Sequence, residues 1–414
     1  MSVRRLSVWL TLPDGERIHA GEMAFTEAAS NGFYRSAFRY TRGYLAHPRR
    51  FALDPANLPL REGDAQSDLL EAPLGVIHDA LPDAWGRRLI GLQGQCDGRQ
   101  YREPDMLWLR GGAGLGALDF SLPGETPPPW RPAMSIIHVQ ALGQAADRFN
   151  QGEEIPGDIA LLFQAGSSPG GARPKAVVAD NENRQWIAKL SFTSDPFDMV
   201  GLECAAMRTA QASRLDVPEV QILPLGRRRA LLVERFDVLP GGGRRHGISF
   251  SALMREGRGV FVTNYRAVFD VLRQHTRQPV NDDLGRLYRQ VVFNAVIGNR
   301  DDHLKNLMML HDGKGYQLSP AFDLLPNVGE RVEHVIAYGL SNRPPSRADL
   351  LAMADHLNIP AKDILDEVVE AAGQFTRHAQ EAGVPPNQIQ RFQSEIDHQR
   401  GRLAPPAIRP VLVL

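Results

Sequence analysis

Apolar and polar residues alternate with period two over residues 6–12, 17–25 and 33–41, which predicts three short strands near the N-terminus. Pro13-Asp-Gly15 and Asn31-Gly32 stand between them as turn signals. A helix is expected over 84–92. The stretch Pro123-Gly-Glu-Thr-Pro-Pro-Pro-Trp-Arg-Pro132 supports neither period and reads as a stiff linker. Beyond it the pattern predicts a helix over 135–150, a glycine-rich stretch at 166–172, and strands at 174–179 and 185–190. The two strands are joined by the turn-rich Asp180-Asn-Glu-Asn183. A helix capped by Asp198 follows, reaching about residue 213, and then a strand at 229–236. From about 250 onward the chain reads mostly as helix. Its clearest helix is 284–297, where Leu284, Leu287, Tyr288, Val291, Val292, Ala295 and Val296 repeat at i, i+3, i+4 and Asn281 is a candidate N-cap. The expected class is α+β, with a strand-rich N-terminal half and an all-helical C-terminal lobe. The expected division is 1–132, 133–237 and 238–414.

Composition narrows the function classes. The 414 residues allow two to three domains or one large bilobal unit, with a core that needs no disulfides. Formal net charge is −1, which argues against a strongly basic nucleic-acid binder and against a polyacidic disordered chain. Cys96 and Cys204 are too few for a disulfide scaffold or a zinc site. No apolar run reaches the length of a membrane span, and the N-terminus alternates like a strand, so a cytoplasmic protein without membrane attachment is expected. Only five of the 47 basic residues are lysine: Lys175, Lys189, Lys305, Lys314 and Lys362. Codon usage explains such a bias. It also marks positions where a compact point charge is retained in a chain that otherwise uses arginine.

Three stretches carry candidate chemistry. Gly112-Ala-Gly-Leu-Gly-Ala117 fits a dinucleotide fingerprint in letters only. A strand-like Leu118-Asp-Phe-Ser-Leu follows where that fingerprint needs a helix, so a structural turn is the better reading. Gly166-Ser-Ser-Pro-Gly-Gly-Ala172 precedes a strand, and its glycines allow backbone amides close to phosphate oxygens. It lacks a Walker lysine, and an ordinary surface loop is the bland alternative. Lys189 lies mid-strand among apolar residues, so it needs a counter-charge or an anionic ligand. Glu203 in the next helix is the candidate partner, and a solvated lysine on an edge strand is the alternative.

The densest signal is Gly298-Asn-Arg-Asp-Asp-His-Leu-Lys-Asn306 after the apolar helix. Asp301 and Asn306 have the spacing of a phosphotransfer loop, in which an aspartate accepts a hydroxyl proton and an asparagine five residues later binds metal. A hairpin through Asp312-Gly313 then leads to Ser319-Pro-Ala-Phe-Asp323, a second oxygen ligand suited to Mg²⁺. His303 with Asp301, Asp302 and Asp323 also admits a metal-hydrolase cluster, but no second His-Asp motif completes it, and His303 reads as a structural loop residue. The segment 349–370 has a helix–turn–helix outline. It carries six acidic residues against Lys362, which favours ordinary packed helices over a DNA reader.

In that order the motifs resemble the HipA family, the serine/threonine kinase toxins of bacterial toxin–antitoxin systems. The resemblance runs from about residue 5 to 400. Ala80-Leu-Pro-Asp-Ala-Trp-Gly-Arg87 is similar to the family's N-terminal signature, Ser168-Pro-Gly-Gly-Ala-Arg-Pro-Lys175 to its glycine-rich loop, and Trp186-Ile-Ala-Lys189 to its nucleotide-lysine strand. Leu231-Leu-Val-Glu-Arg-Phe-Asp237 is similar to its hinge, and Asn299–Asn306 with Leu318–Leu324 to its catalytic and metal loops.

The resemblance implies a bilobal kinase-like fold behind a family-specific N-terminal subdomain. It implies Asp301 as catalytic base and Asn306 and Asp323 as Mg²⁺ ligands. ATP would be held by Lys189, Lys175, Gly170, Gly171 and Ser168, with Glu234–Phe236 around adenine. Ser168, or Ser167 beside it, would be autophosphorylated and the enzyme thereby switched off. Glu203 and His303 would be supporting residues. Implied partners are a HipB-like helix-turn-helix antitoxin, through which alone DNA is met, and a protein substrate such as glutamyl-tRNA synthetase. Two other readings compete: a catalytically silent nucleotide-binding co-repressor or scaffold, and a metal-dependent phosphohydrolase.

Overall fold

The computed structural model describes residues 5–26, 35–66, 74–153, 155–165, 173–192, 194–226, 228–254, 264–329 and 331–405. The chain is a mixed α+β protein with three sheets among these residues.

The first sheet contains β1 (Arg5–Thr11), β2 (Arg17–Thr26), β3 (Arg35–Tyr40), β4 (Ala65–Gln66) and β5 (Leu118–Ser121), in the order β4-β3-β2-β1-β5 and antiparallel throughout. Leu6, Val8 and Leu10 are fully buried, as the period-two pattern requires of one sheet face. Gly15 closes the β1–β2 turn at φ +89°, which a side chain would resist. The helices Gly75–Ala80, Ala84–Cys96 and Glu103–Arg110 are inserted before β5. Asp83 caps the second of them, accepting from the Gly86 amide at 3.3 Å.

The second sheet contains β6 (Met134–Ser135), β7 (Lys175–Ala179), β8 (Gln185–Leu190), β9 (Val220–Leu225) and β10 (Arg228–Glu234), in the order β6-β7-β8-β10-β9. One face carries Val178, Trp186, Ala188 and Leu232 against the helices Val139–Asn150 and Pro156–Gln164. Trp85 and Leu89 of the helix Ala84–Cys96 join that core. The other face looks toward the helix Met199–Ala212 and a cleft. β8 lies inside this sheet, which excludes the edge-strand reading of Lys189.

The third sheet corrects one expectation. The region after 238 is not all helix, because β11 (His246–Ser249), β12 (Met308–His311) and β13 (Tyr316–Leu318) form an antiparallel sheet there. All four residues of β12 are buried, so the hairpin needs a further strand on its open edge, and β11 supplies it. The rest of this region is helical, built around Val280–Ile297, whose Leu287, Tyr288, Val291, Val292 and Phe293 are fully buried. That helix starts at Val280 after an extended Pro279, so Asn281 lies inside its first turn and does not cap it. Gly298 ends it in the left-handed region at φ +70°. The helices Arg347–Ala354 and Ala361–Ala371 bury Leu350, Ile364, Leu365 and Val368, which is ordinary core packing. No helix among the described residues is long and apolar enough to cross a membrane.

The Gly112–Ala117 stretch is a structural turn running into β5. Asp237 accepts from the Gly116 amide at 2.8 Å, and the carbonyls of Gly112, Gly114 and Gly116 accept from Arg244.

Candidate active site

Two clefts meet between the second sheet, the third sheet and the N-terminal helices. The larger has a volume of about 560 Å³ and the smaller about 170 Å³. Asn306 and Asp323 line both.

β7 and β8 pair in a register that sets Lys175 directly opposite Lys189. Side chains at directly paired positions share a sheet face, so both ammonium groups look into the large cleft. Lys189 Nζ donates to Glu203, from the helix Met199–Ala212, and to Asp323 Oδ1 at 2.6 Å. Burial alone would push the Lys189 ammonium down. Asp323 and Glu203 outweigh it and hold the pKa above the ordinary lysine value. Lys189 in turn holds the Asp323 carboxyl far below the usual carboxylate range, while burial pushes Glu203 up. Lys175 makes no hydrogen bond or ion pair with another described residue, and burial next to Lys189 pushes its ammonium down.

Asp323 adopts φ +58°, a left-handed backbone conformation that few non-glycine residues accept. Phe322 beside it faces Phe236 at 5.5 Å between ring centroids, at the end of the large cleft where β10 gives way to Glu234–Asp237. The Phe236 carbonyl already accepts from Arg245 at 2.7 Å, which leaves other hinge groups for a ligand.

Asp301 lies on the small cleft with a two-thirds exposed carboxylate. Its Oδ1 meets Arg331 Nη1 at 2.8 Å, and its amide donates to Asn299 Oδ1 at 3.2 Å. Asn306 Nδ2 reaches back to the Asp301 carbonyl at 3.5 Å. Asp302, the next residue, is turned the opposite way. It is buried, and its Oδ2 accepts from the Tyr265 hydroxyl and from Asn294 Nδ2. Asp301 and Asp302 therefore do not converge on one metal, which removes the geometry that the phosphohydrolase reading needed. No group of three or more acidic, histidine or cysteine side chains poised for a metal occurs among the described residues.

Lys175, Lys189, Glu234, Phe236, His303, Asn306 and Asp323 thus lie on one cleft, Asp301 lies on the cleft adjoining it, and Glu203 stands behind Lys189. Ser167, Ser168, Gly170 and Gly171 lie outside the described residues. Sequence reasoning missed most of the N-terminal wall of the large cleft, made by His78, Asp79, Asp83, Arg87 and Arg110. The available signal was the Leu81–Arg87 signature, which reads as a family mark without saying what it faces. It also missed Arg331 against Asp301.

The donor set fits a magnesium nucleotide. Asn306 and Asp323 carry hard oxygen donors at the junction of the clefts, and the Lys175 ammonium beside Lys189, without a partner among the described residues, offers charge to phosphate.

Comparison with known proteins places the chain in a family. Residues 167–378, just over half of the chain, match the family described as the HipA-like C-terminal domain. Two proteins of Sinorhizobium fredii (strain NBRC 101917 / NGR234) named as candidate kinases, Y4dM and Y4mE, are similar to this chain. Y4dM is 31% identical over 244 residues, covering 52% of this chain and 57% of the relative. Y4mE is 32% identical over 139 residues, covering 30% of this chain and 32% of the relative. The chain therefore spans little more than half the length of the first and a third of the second. Among solved structures, HipA of Shewanella oneidensis MR-1, from a complex with HipB and operator DNA, shares the fold. Its TM-score is 0.64 at 18% identity, over 95% of this chain and 97% of that one.

Proposed function

The chain belongs to the HipA family, and from that premise we propose that it is an ATP- and Mg²⁺-dependent serine/threonine kinase acting as the toxin of a toxin–antitoxin pair. The observation that carries this reading is the Lys189–Glu203–Asp323 arrangement in one cleft, with Asp301 across Asn306 and Asp323 in the next. Phosphoryl transfer asks a protein mainly for position and charge. Lys189 and Lys175 sit where they neutralise phosphate oxygens. Glu203 keeps Lys189 in place, and Glu234–Phe236 hold adenine at the other end of the cleft. Asn306 and Asp323 would hold Mg²⁺, which would supply the remaining neutralisation. Asp301, exposed toward the small cleft, accepts the proton of an incoming hydroxyl. Autophosphorylation falls on Ser168, or on Ser167 beside it.

The antitoxin partner is a HipB-like helix-turn-helix protein, supported by the fold likeness to a HipA found with HipB and operator DNA. The protein substrate is a translation component such as glutamyl-tRNA synthetase. The test is phosphate incorporation by the purified protein with ATP and Mg²⁺. Wild type is expected to incorporate it in the 166–172 stretch, and Asp301→Ala to lower the rate by about 10²–10⁴-fold. A wild-type protein that binds ATP and transfers nothing would be the silent scaffold instead.

A further inference from the structure

Asp302 is a buried carboxylate whose described hydrogen-bond partners are neutral: the Tyr265 hydroxyl, and Asn294 Nδ2 at 2.7 Å. Keeping such a charge out of water is costly unless something uses it. Asn294, fully buried on the helix Val280–Ile297, accepts through Oδ1 from Asn299 Nδ2 at 3.1 Å. Asn299 Oδ1 accepts from the Asp301 amide at 3.2 Å, and the Asn299 carbonyl accepts from His334 Nδ1 at 3.0 Å. An unbroken line of polar contacts therefore joins the carboxylate of Asp302 to the backbone of its neighbour, the base. Proximity in sequence hides this, because the two carboxylates point apart.

We propose that ionised Asp302 is a positioning residue for the catalytic base, fixing the Asp301 backbone through Asn294 and Asn299, so that phosphoryl transfer weakens in mild acid. The proposal rests on the kinase reading above. The groups facing Asp302 are Tyr265 on the helix Tyr265–His275, Asn294, Tyr338 from the 331–342 stretch, and His303 and Asp301 in the loop itself. None of them is a lysine or arginine.

Burial pushes the Asp302 carboxyl up to about 6. A neutral carboxyl accepts roughly half as strongly as a carboxylate, so protonation loosens the grip on Asn294. The effect on the fold has the opposite sign. The folded pKa lies above the ordinary value, so between about pH 4 and 6 the folded state binds the proton more readily than the unfolded chain. Acidification through that window therefore favours the fold at this residue while it releases the relay. Few structural roles share this pairing of lower activity with undiminished stability.

Phosphate incorporation by the full chain with Mg²⁺ and ATP, followed from about pH 5 to 8, reads the effect. Wild type is expected to lose about tenfold on the acid side of 6, the difference between a charged and a neutral hydrogen bond. Asp302→Asn keeps the shape and removes the charge. It should show a flat profile there, at the rate wild type has in acid, with ATP affinity unchanged and a thermal midpoint no lower. Asn294→Ala cuts the relay and should show the same loss with ATP affinity unchanged.

An acid limb that persists in Asp302→Asn overturns the proposal, as does a wild-type rate at neutral pH in either variant. A wild type that binds ATP without incorporating phosphate removes the kinase reading and this proposal with it. Normal turnover with an unmoved acid limb removes the proposal alone.

Discussion

Two charge clusters, one buried and one facing a cleft, flank the hinge at Glu234–Asp237, and they are built to opposite specifications. In the first, Asp237 is fully buried and its Oδ2 accepts from Arg235 at 2.7 Å, Arg244 at 3.0 Å and the Gly116 amide at 2.8 Å. The two arginines spend further donors on the carbonyls of Ala113, Gly114, Gly112 and Gly116. That cluster turns most of its donors inward and pins the Gly112–Ala117 turn to the hinge. In the second, Lys189 is shared by Glu203 and Asp323 while Lys175, directly opposite on β7, has no described partner. That cluster stays open toward the cleft, its two ammonium groups balanced by the two carboxylates. Both are glycine-associated and charged, and a motif scan flags both. Whether the hydrogen-bonding capacity is used up inside the protein is what separates a structural clasp from a ligand site.

Removing one member of each cluster should break the likeness most plainly in the closed one. Asp237→Ala leaves Arg235 and Arg244 buried without their anion, a loss expected at about 3–5 kcal/mol in a denaturant melt. In the open cluster, Lys189→Arg should leave the thermal midpoint within a few degrees. It should weaken ATP binding by about tenfold or more, measured by calorimetric titration, because a planar fork does not replace a point charge between two carboxylates. Unchanged ATP affinity there would return Lys189 to an ordinary structural ion pair. The smallest effect sharpens the contrast best. Lys175→Met removes a desolvated ammonium that has no partner among the described residues, so the free protein should gain up to about 1 kcal/mol while its ATP affinity falls several-fold. No member of the closed cluster should trade stability for binding in this way.

Much of this was legible in the sequence. Period-two runs located β1, β2, β3 and β8, and the i, i+3, i+4 run located the helix Val280–Ile297, because burial on one face writes itself into the residue order. β9 escaped because Pro224 interrupts it. The strand tolerates the proline by lying at the sheet edge, a position that only the assembled sheet defines. β11 was hidden because its four residues are all buried and show no alternation. At the site, residue type and spacing singled out Lys189, Asp301, Asn306 and Asp323. They could not show that Asp302 turns into the core, since an irregular loop has no period from which to read direction. Nor could they show that His78–Arg87 and Arg110 wall the cleft, because that contact joins segments far apart in the chain.

The left-handed backbone at Asp323 bears on how such a chain drifts over generations. Of the residues that tolerate φ +58°, glycine does so without strain and asparagine nearly as well as aspartate. The substitutions the backbone accepts most readily at this position are therefore ones that discard the carboxylate. A lineage under weak selection could lose the carboxylate here without backbone strain, at the cost of one partner of Lys189. On the kinase reading, replacement by glycine or asparagine in a relative would mark a silent descendant, one that has also lost that partner of Lys189.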